Sequence, residues 1–152
     1  MIRTEQEYQR ALLSLKRDAE VIEAQRGQLH EQGVSGNGVE LALQPLESFR
    51  QQLEEEVHAY ERMKRGEFDV LRSLTGIGRW LIGIRIAQGM TQRELAERLS
   101  VSEAQVSRDE RHEYYGITVE RAQRILEALG ARFRMEVEEP AGAARVDALA
   151  SA

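Results

Sequence analysis

The sequence predicts a mainly α-helical protein: an N-terminal antiparallel helical hairpin of coiled-coil type, then a bundle of four to five short helices and one short C-terminal β-strand. The composition favours helices, because Glu, Arg, Gln, Leu and Ala are abundant and the 152 residues include only two prolines. Apolar residues recur at helical spacing over the first 65 positions. Three capping-box signatures, which mark helix N-termini, begin at Thr4, Thr91 and Ser102.

The first helix is predicted over residues 1–31, and Thr4 with Glu7 forms its capping box. A heptad-like apolar seam follows, interrupted once by Arg26, and consists of Tyr8, Leu12, Leu15, Ala19, Ile22 and Leu29. The glycine-rich stretch 33–38 ends this helix.

The second helix is predicted over residues 40–65. Because proline is tolerated in the first helical turn, Pro45 places the start of regular helix near Gln44. Its apolar stripe consists of Leu46, Phe49, Leu53, Val57, Tyr60 and Met63. Two helices of similar length joined by a short loop predict an antiparallel hairpin at 1–65. Its core is too small to stand alone, so we expect it to serve in dimerisation or partner binding.

Residues 66–78 are predicted to connect this hairpin to four short helices, near 78–88, 91–99, 102–110 and 118–130. Gly76 and Gly78 are interpreted as glycines before a helix, since no strand precedes them and no Gly-Lys-Ser/Thr follows, as a phosphate-binding loop requires. Between the second and third short helices, Ala96 permits a close crossing. The angle between them is filled by Leu95, Leu99, Val101 and Val106. This spacing is typical of a DNA-binding helix-turn-helix.

The stretch GMTQRELAERLSVSEAQVSRDE, residues 89–110, resembles the helix-turn-helix of Cro/repressor-like (Xre) transcription regulators, and the resemblance extends over 79–130. Two positions depart from the family pattern: Ser100 stands where glycine is usual, and Asp109 stands where an apolar residue usually precedes the glutamate. The serine should cost about 1 kcal/mol in a left-handed turn. The hairpin sequence IRTEQEYQRAL, with Ala59-Tyr60-Glu61 further on, also resembles HigA-type antitoxins.

A helical wheel with Val106 in the core predicts which side of the third short helix faces DNA. Ala104, Arg108 and Arg111 point outward with Gln105 and Ser107 on the flanks, whereas Glu103, Asp109 and Glu110 face inward or toward neighbouring helices. Arg108 suits guanine, Gln105 adenine and Ala104 a thymine methyl group. The family resemblance implies base reading by Glu103, Ala104 and Arg108, with Glu103 accepting from a cytosine amino group.

The N-terminus of the second short helix is expected to bind phosphate through Thr91 and Gln92, with Arg93, Arg79 and Arg111 nearby. The full predicted DNA-contact set is Thr91, Gln92, Arg93, Ser102, Glu103, Ala104, Gln105, Ser107, Arg108 and Arg111. The alternative is that Arg108 and Arg111 pair with Glu103, Glu110 or Glu113 on a solvated helix face. Tyr114 and Tyr115 are expected to pack the following loop.

Composition excludes several classes of function. The chain contains no cysteine and only three widely separated histidines, so thiol chemistry, iron–sulfur clusters and a histidine-rich metal centre are excluded. Glu54 and His58 are four residues apart, as metal ligands can be, but an acidic solvated helix face is favoured. We therefore expect no enzyme activity, no cofactor and no metal. The longest apolar run, near Trp80–Ile84, is far below the roughly 20 residues that span a bilayer, and no secretory signal is apparent.

Charge is distributed unevenly along the chain. The formal net charge is −5, yet residues 76–134 carry ten arginines against eight carboxylates. Beyond Gly130, residues 131–139 alternate between charged and apolar side chains, which predicts a strand. A lone strand leaves unpaired edges, so we expect it to pair with its copy in a second protomer. The tail at 140–152 is expected to be disordered.

These observations favour a sequence-specific transcriptional regulator, most simply a repressor, that binds double-stranded DNA as a homodimer in the bacterial cytoplasm and at the nucleoid. An antitoxin that binds a protein toxin and regulates its own operon is the alternative. A coiled-coil adaptor with a degenerate helix-turn-helix is a third hypothesis. No membrane partner is expected.

Overall fold

A computed structural model describes residues 1–71 and 73–135 and places six α-helices within them. Their bounds are α1 Glu5–Glu31, α2 Gly36–Lys64, α3 Ile77–Ala87, α4 Gln92–Leu99, α5 Glu103–Arg111 and α6 Val119–Ala128. A 3-10 turn, Leu74–Gly76, precedes α3. The prediction of a mainly helical chain is confirmed. Over these same two ranges, no helix has the length and apolar character needed to cross a bilayer.

Helices α1 and α2 pack against each other as a long hairpin joined by a four-residue loop. The capping box of α1 forms as predicted: the Thr4 hydroxyl accepts from the Glu7 amide, and the Glu7 carboxylate accepts from the Thr4 amide. At the loop end of the hairpin, Ile22 packs with Val39 and Leu43 in a small separate core.

The predicted start of α2 is wrong. The helix begins at Gly36, and Pro45 lies in its interior rather than in its first turn. Proline in a helix interior removes one backbone hydrogen bond, but Val39 and Leu43 are almost fully buried just before it, and this packing holds the preceding turns helical. Phe49, predicted to lie in the buried stripe, is instead 73% exposed.

A single apolar core joins the hairpin to the four short helices. Ile2, Val57 and Tyr60 of the hairpin region belong to the same buried cluster as Leu81 and Ile82 of α3. The other buried members of this cluster are Ala11, Ile86, Met90, Leu95, Ala96, Val106, Tyr114, Ala122, Ile125, Leu126 and Leu129. The core therefore contains residues on both sides of the connector predicted at 66–78.

The predicted C-terminal strand is not supported. Residues 131–135 have no regular secondary structure, and residues 136–139 lie outside the described residues, as does the tail at 140–152. A strand requires a second strand to complete its hydrogen-bond ladder. Within 1–71 and 73–135 no strand is present to pair with this segment, so alternation of side chains alone does not produce one.

A buried ion pair lies at the centre of the fold, where Arg85 of α3 meets Glu110 of α5. Arg85 Nε and Nη2 donate to the two Glu110 carboxylate oxygens at 2.5 and 2.6 Å, and both side chains are almost completely buried. The remaining Arg85 donors reach the backbone oxygens of Met90 at 2.7 Å and Arg3 at 2.9 Å. Gln92 donates to the same Glu110 carboxylate at 2.8 Å. One guanidinium thus connects α3, α5, the turn before α4 and the start of the hairpin.

Replacing Glu110 by alanine should destabilise the protein by about 3–5 kcal/mol, because a buried guanidinium would lose its counter-charge. Urea unfolding followed by circular dichroism measures this difference. Glu97→Ala is the matched control: it removes an exposed partner of Arg93 and should cost less than about 1 kcal/mol. Equal losses in the two variants would contradict the central role of the buried pair.

Candidate nucleic-acid interface

The turn between α4 and α5 has the geometry of a helix-turn-helix. Ser100 adopts a left-handed conformation with φ of 55° and ψ of 41°, which is the conformation that favours glycine at this position. The Val101 amide donates to the Ala96 carbonyl at 3.0 Å and closes the turn. Leu95, Ala96 and Val106 are buried between the helices, as predicted. Val101, expected to fill the angle, remains 40% exposed.

Side chains cap the N-termini of both helices, which fixes where each begins. Thr91 and Glu94 form the predicted capping box of α4, and hydrogen bonds from Thr91 lower the pKa of the Glu94 carboxyl group. At α5, the Ser102 hydroxyl accepts from the Gln105 amide at 3.2 Å. The reciprocal hydrogen bond of this predicted box, from the Ser102 amide to the Gln105 side chain, is absent. The Gln105 side chain donates to Asp109 at 2.8 Å instead.

The outward face of α5 carries the predicted base-reading side chains. Ala104 and Arg108 are exposed, while Gln105 and Ser107 are half-buried on the flanks. Glu110 is buried, in agreement with the helical wheel. Glu103 is exposed, contrary to that wheel, because it opens the helix one turn before the first buried position, Val106.

Arginines from other helices neutralise the carboxylates at the back and at the end of α5. Glu110 pairs with Arg85, and Asp109 pairs with Arg121 of α6. Glu113, just beyond α5, pairs with Arg79 of α3 at 2.8 Å. Asp109 therefore replaces the apolar contact usual at this position with an ion pair between α5 and α6.

Arg108 and Arg111 are exposed at the C-terminal half of α5. Within the described ranges, neither guanidinium group takes part in a salt bridge or a side-chain hydrogen bond. The structure therefore contradicts the alternative in which they pair with Glu103, Glu110 or Glu113. The exposed side of α5 thus presents two unneutralised cations, together with the exposed Glu103 carboxylate in the first turn.

The predicted phosphate ligands of α4 have partners inside the protein. The Thr91 hydroxyl donates to Glu94 at 2.8 Å, the Gln92 amide donates to Glu110, and Arg93 pairs with Glu97. A Gln92 amide nitrogen carries a second hydrogen, and the Arg93–Glu97 pair is exposed, so both retain the capacity to donate to phosphate. Ser102 is likewise exposed, with its hydroxyl capping α5.

The role of Arg85 was not predicted from the sequence. Its signal is present in the sequence, because Arg85 lies in helical register with the buried residues Leu81, Ile82 and Ile86. A single arginine on an apolar helix face requires a buried counter-charge. Glu54 and His58, considered as metal ligands, have separate partners in Arg50 and Glu61.

The turn after α5 is held against the start of α3 by a close backbone approach. A Cβ atom placed on Gly78 would lie 1.8 Å from the Glu113 carbonyl oxygen, so only glycine fits there. Tyr114 is buried in this turn, and burial raises the pKa of its hydroxyl group. Tyr115 is 96% exposed, so the predicted packing role is confirmed for Tyr114 alone.

Residues 81–134, roughly a third of the sequence, match the helix-turn-helix family model. This family model describes helix-turn-helix domains of the Cro/C1 type, so residues 81–134 are similar to the DNA-binding domain of Xre-like regulators. No curated protein and no solved structure matches the chain significantly. The matched helix-turn-helix contains α4, the turn and α5, and it supports a DNA-binding transcription regulator.

Gly78→Ala should destabilise the helix-turn-helix by at least about 1–3 kcal/mol, because the new methyl group must displace the Glu113 backbone. Thermal melting measures the effect. Gly27→Ala is the control. No atom lies within 4 Å of its added Cβ in α1, so it should stabilise the protein by about 0.5–1 kcal/mol. A Gly78 variant as stable as the parent would show that the close approach is not required.

Proposed function

We propose that this protein is a sequence-specific, double-stranded DNA-binding transcriptional repressor that acts as a homodimer, with α5 as its recognition helix. The observation that carries this proposal is the division of charge across α5. Its inward carboxylates are neutralised by arginines of α3 and α6, whereas Arg108 and Arg111 extend from the exposed side without a partner in the described chain. A helix of this kind fits the major groove, where arginine binds guanine O6 and N7.

Within this proposal, Arg108 reads guanine and Ala104 contacts a thymine methyl group, both from exposed positions. Glu103 accepts from a cytosine amino group. Gln105 reads adenine only after its amide releases Asp109. Thr91, Gln92, Arg93, Ser102, Ser107 and Arg111 are assigned to the phosphate backbone or to the edge of the site, where they set the register of α5.

The antitoxin alternative depends on a different part of the chain. The residues that resemble HigA-type antitoxins are 2–12 and 59–61, whereas the family match begins at residue 81. Residues 81–134 are matched by a DNA-binding family model, and the exposed side of α5 supports DNA binding only. We therefore propose a regulator without assigning a toxin. Co-purification of a small protein with the full chain would favour the antitoxin alternative.

Arg108→Ala should weaken binding to the specific site by about 1–3 kcal/mol and relax preference at one base pair. Binding sites selected from random duplexes, followed by titration, provide the measurement. Gln92→Ala should instead weaken all duplexes about equally, because it contacts phosphate. Lys16→Ala removes one positive charge from an exposed position in α1 and should leave specific affinity unchanged. Wild-type affinity in the Arg108 variant would rule out α5 as the reading helix.

A homodimer should recognise a pseudo-palindromic site whose half-sites are separated by about one helical turn, or about 34 Å. A single helix-turn-helix buries little DNA surface, so tight specific binding requires two. Footprinting measures the protected sequence, and sedimentation measures the stoichiometry. Protection of one unrepeated half-site by a monomer at micromolar concentration would exclude the proposed assembly.

A further inference from the structure

The two long sides of the hairpin differ in charge. On one side, Arg26 of α1 binds Glu40 at 2.6 Å and Glu47 at 2.7 Å across to α2. The other side is the one on which Arg10 and Ser14 of α1 lie beside Leu53 and Glu56 of α2. Helical spacing from these residues toward the loop end of the hairpin places no charged side chain between Val21 and Gln28 of α1 or between Leu41 and Phe49 of α2 on this side.

This uncharged surface is defined here as the distal face, and its apolar members are Val21, Leu41, Ala42, Pro45 and Phe49. Leu41, Pro45 and Phe49 are four residues apart, so they form one ridge along α2. Leu41 and Phe49 are 72% and 73% exposed, and Val21 of α1 is 43% exposed beside them. A contiguous apolar patch of this kind marks an interaction surface.

We propose that the distal face pairs with the same face of a second copy of this chain. A surface two helices wide, at about 10 Å per helix, and about 40 Å long presents roughly 800 Å², which is one side of a standard protein interface. The distal face forms the uncharged, loop-end part of that surface. Arg10, Arg17 and Glu56, nearer the short helices, form its polar rim.

Charge selects a second copy as the occupant. An interface built around a two-fold axis brings each patch onto itself, so a charged patch would meet its own charge. The distal face avoids this repulsion because it carries no charge. The opposite side, with Glu40 and Glu47, would place acidic groups against their copies. A partner chosen by electrostatic complementarity would instead require a charged patch.

The position of the hairpin gives this pairing a consequence for DNA binding. The hairpin shares the buried core of the helix-turn-helix, and the Arg3 carbonyl accepts from Arg85. Two hairpins joined at their distal faces therefore hold two α5 helices at a fixed separation. This consequence rests on the proposed function, whereas the pairing itself does not.

The test combines two charge insertions with a matched control. Phe49→Glu and Leu41→Glu should each raise the dimer dissociation constant about 30-fold or more, the effect of losing an interface hot spot. Sedimentation measures this constant, and circular dichroism verifies that each variant is folded. Val70→Glu makes a similar change at a residue that is 80% exposed in the connector, and it should dimerise like the parent. A Phe49→Glu protein that dimerises as tightly as the parent would overturn the proposal.

A second measurement leaves the apolar ridge of Leu41, Pro45 and Phe49 unchanged. Because the chain contains no cysteine, Ala42→Cys introduces a single thiol within the distal face. A short bifunctional maleimide should then link two chains at concentrations where Val70→Cys gives no product. Absence of the linked dimer in a protein that sediments as a dimer would place the interface elsewhere.

These outcomes separate the pairing from the proposed function. Arg108→Ala should remain dimeric while losing specific DNA binding, and Phe49→Glu should still bind a duplex that contains one half-site. A wild-type dimer without specific DNA affinity would contradict the proposed function and leave the pairing standing. A wild-type chain that is monomeric at micromolar concentration would overturn both the pairing and the proposed homodimer, whereas a Phe49→Glu protein that stays dimeric would overturn the pairing alone.

Discussion

The ion pair between Arg85 and Glu110 is the constraint on which the rest of this structure depends. Removing two charges from water is costly, and the cost is offset here because every Arg85 nitrogen has an acceptor and both Glu110 oxygens have donors. Satisfying that geometry fixes α5 against α3, the turn at Met90 and the first residues of the hairpin. The exposed side of α5 is positioned as a consequence.

Charge pairing also explains how a chain of net charge −5 can present a basic surface to DNA. Arginine side chains from α3 and α6 neutralise the carboxylates at the back and end of α5, namely Asp109, Glu110 and Glu113. Arg108 and Arg111 extend on the other side. The local field at the exposed side of α5 therefore depends on which arginines are already paired, and net charge does not report it.

The hairpin is part of the DNA-binding unit rather than an appendage. Val57, Tyr60 and Ile2 pack in the core of the short helices. Gly83 of α3 leaves room for Met63 in the last turn of α2 and for Phe68 in the connector. Deleting residues 1–65 would expose this core. A change in the hairpin, including one caused by a partner, can therefore reach α5 through packed side chains and through the Arg3–Arg85 hydrogen bond, because Arg85 also pairs with Glu110 of α5.

Local signals in the sequence determined the helices and the turn. The Thr4 and Thr91 capping boxes define helix starts through contacts within four residues, and the spacing from Ala96 to Val106 determines the helix-turn-helix. The outward placement of Ala104 and Arg108 also follows from helical periodicity, because one buried residue, Val106, orients the whole helix.

The tertiary structure determined the features that depend on contacts between residues distant in the chain. Pro45 lies inside α2 because Ile22, more than twenty residues earlier, buries Val39 and Leu43 before it. The strand predicted at 131–139 has no second strand in the described chain, and alternation alone supplies none. Arg85 and Glu110 are 25 residues apart, and their pairing depends on how three helices cross. Local sequence encodes periodicity and capping, but the burial of a charge is a property of the assembled core.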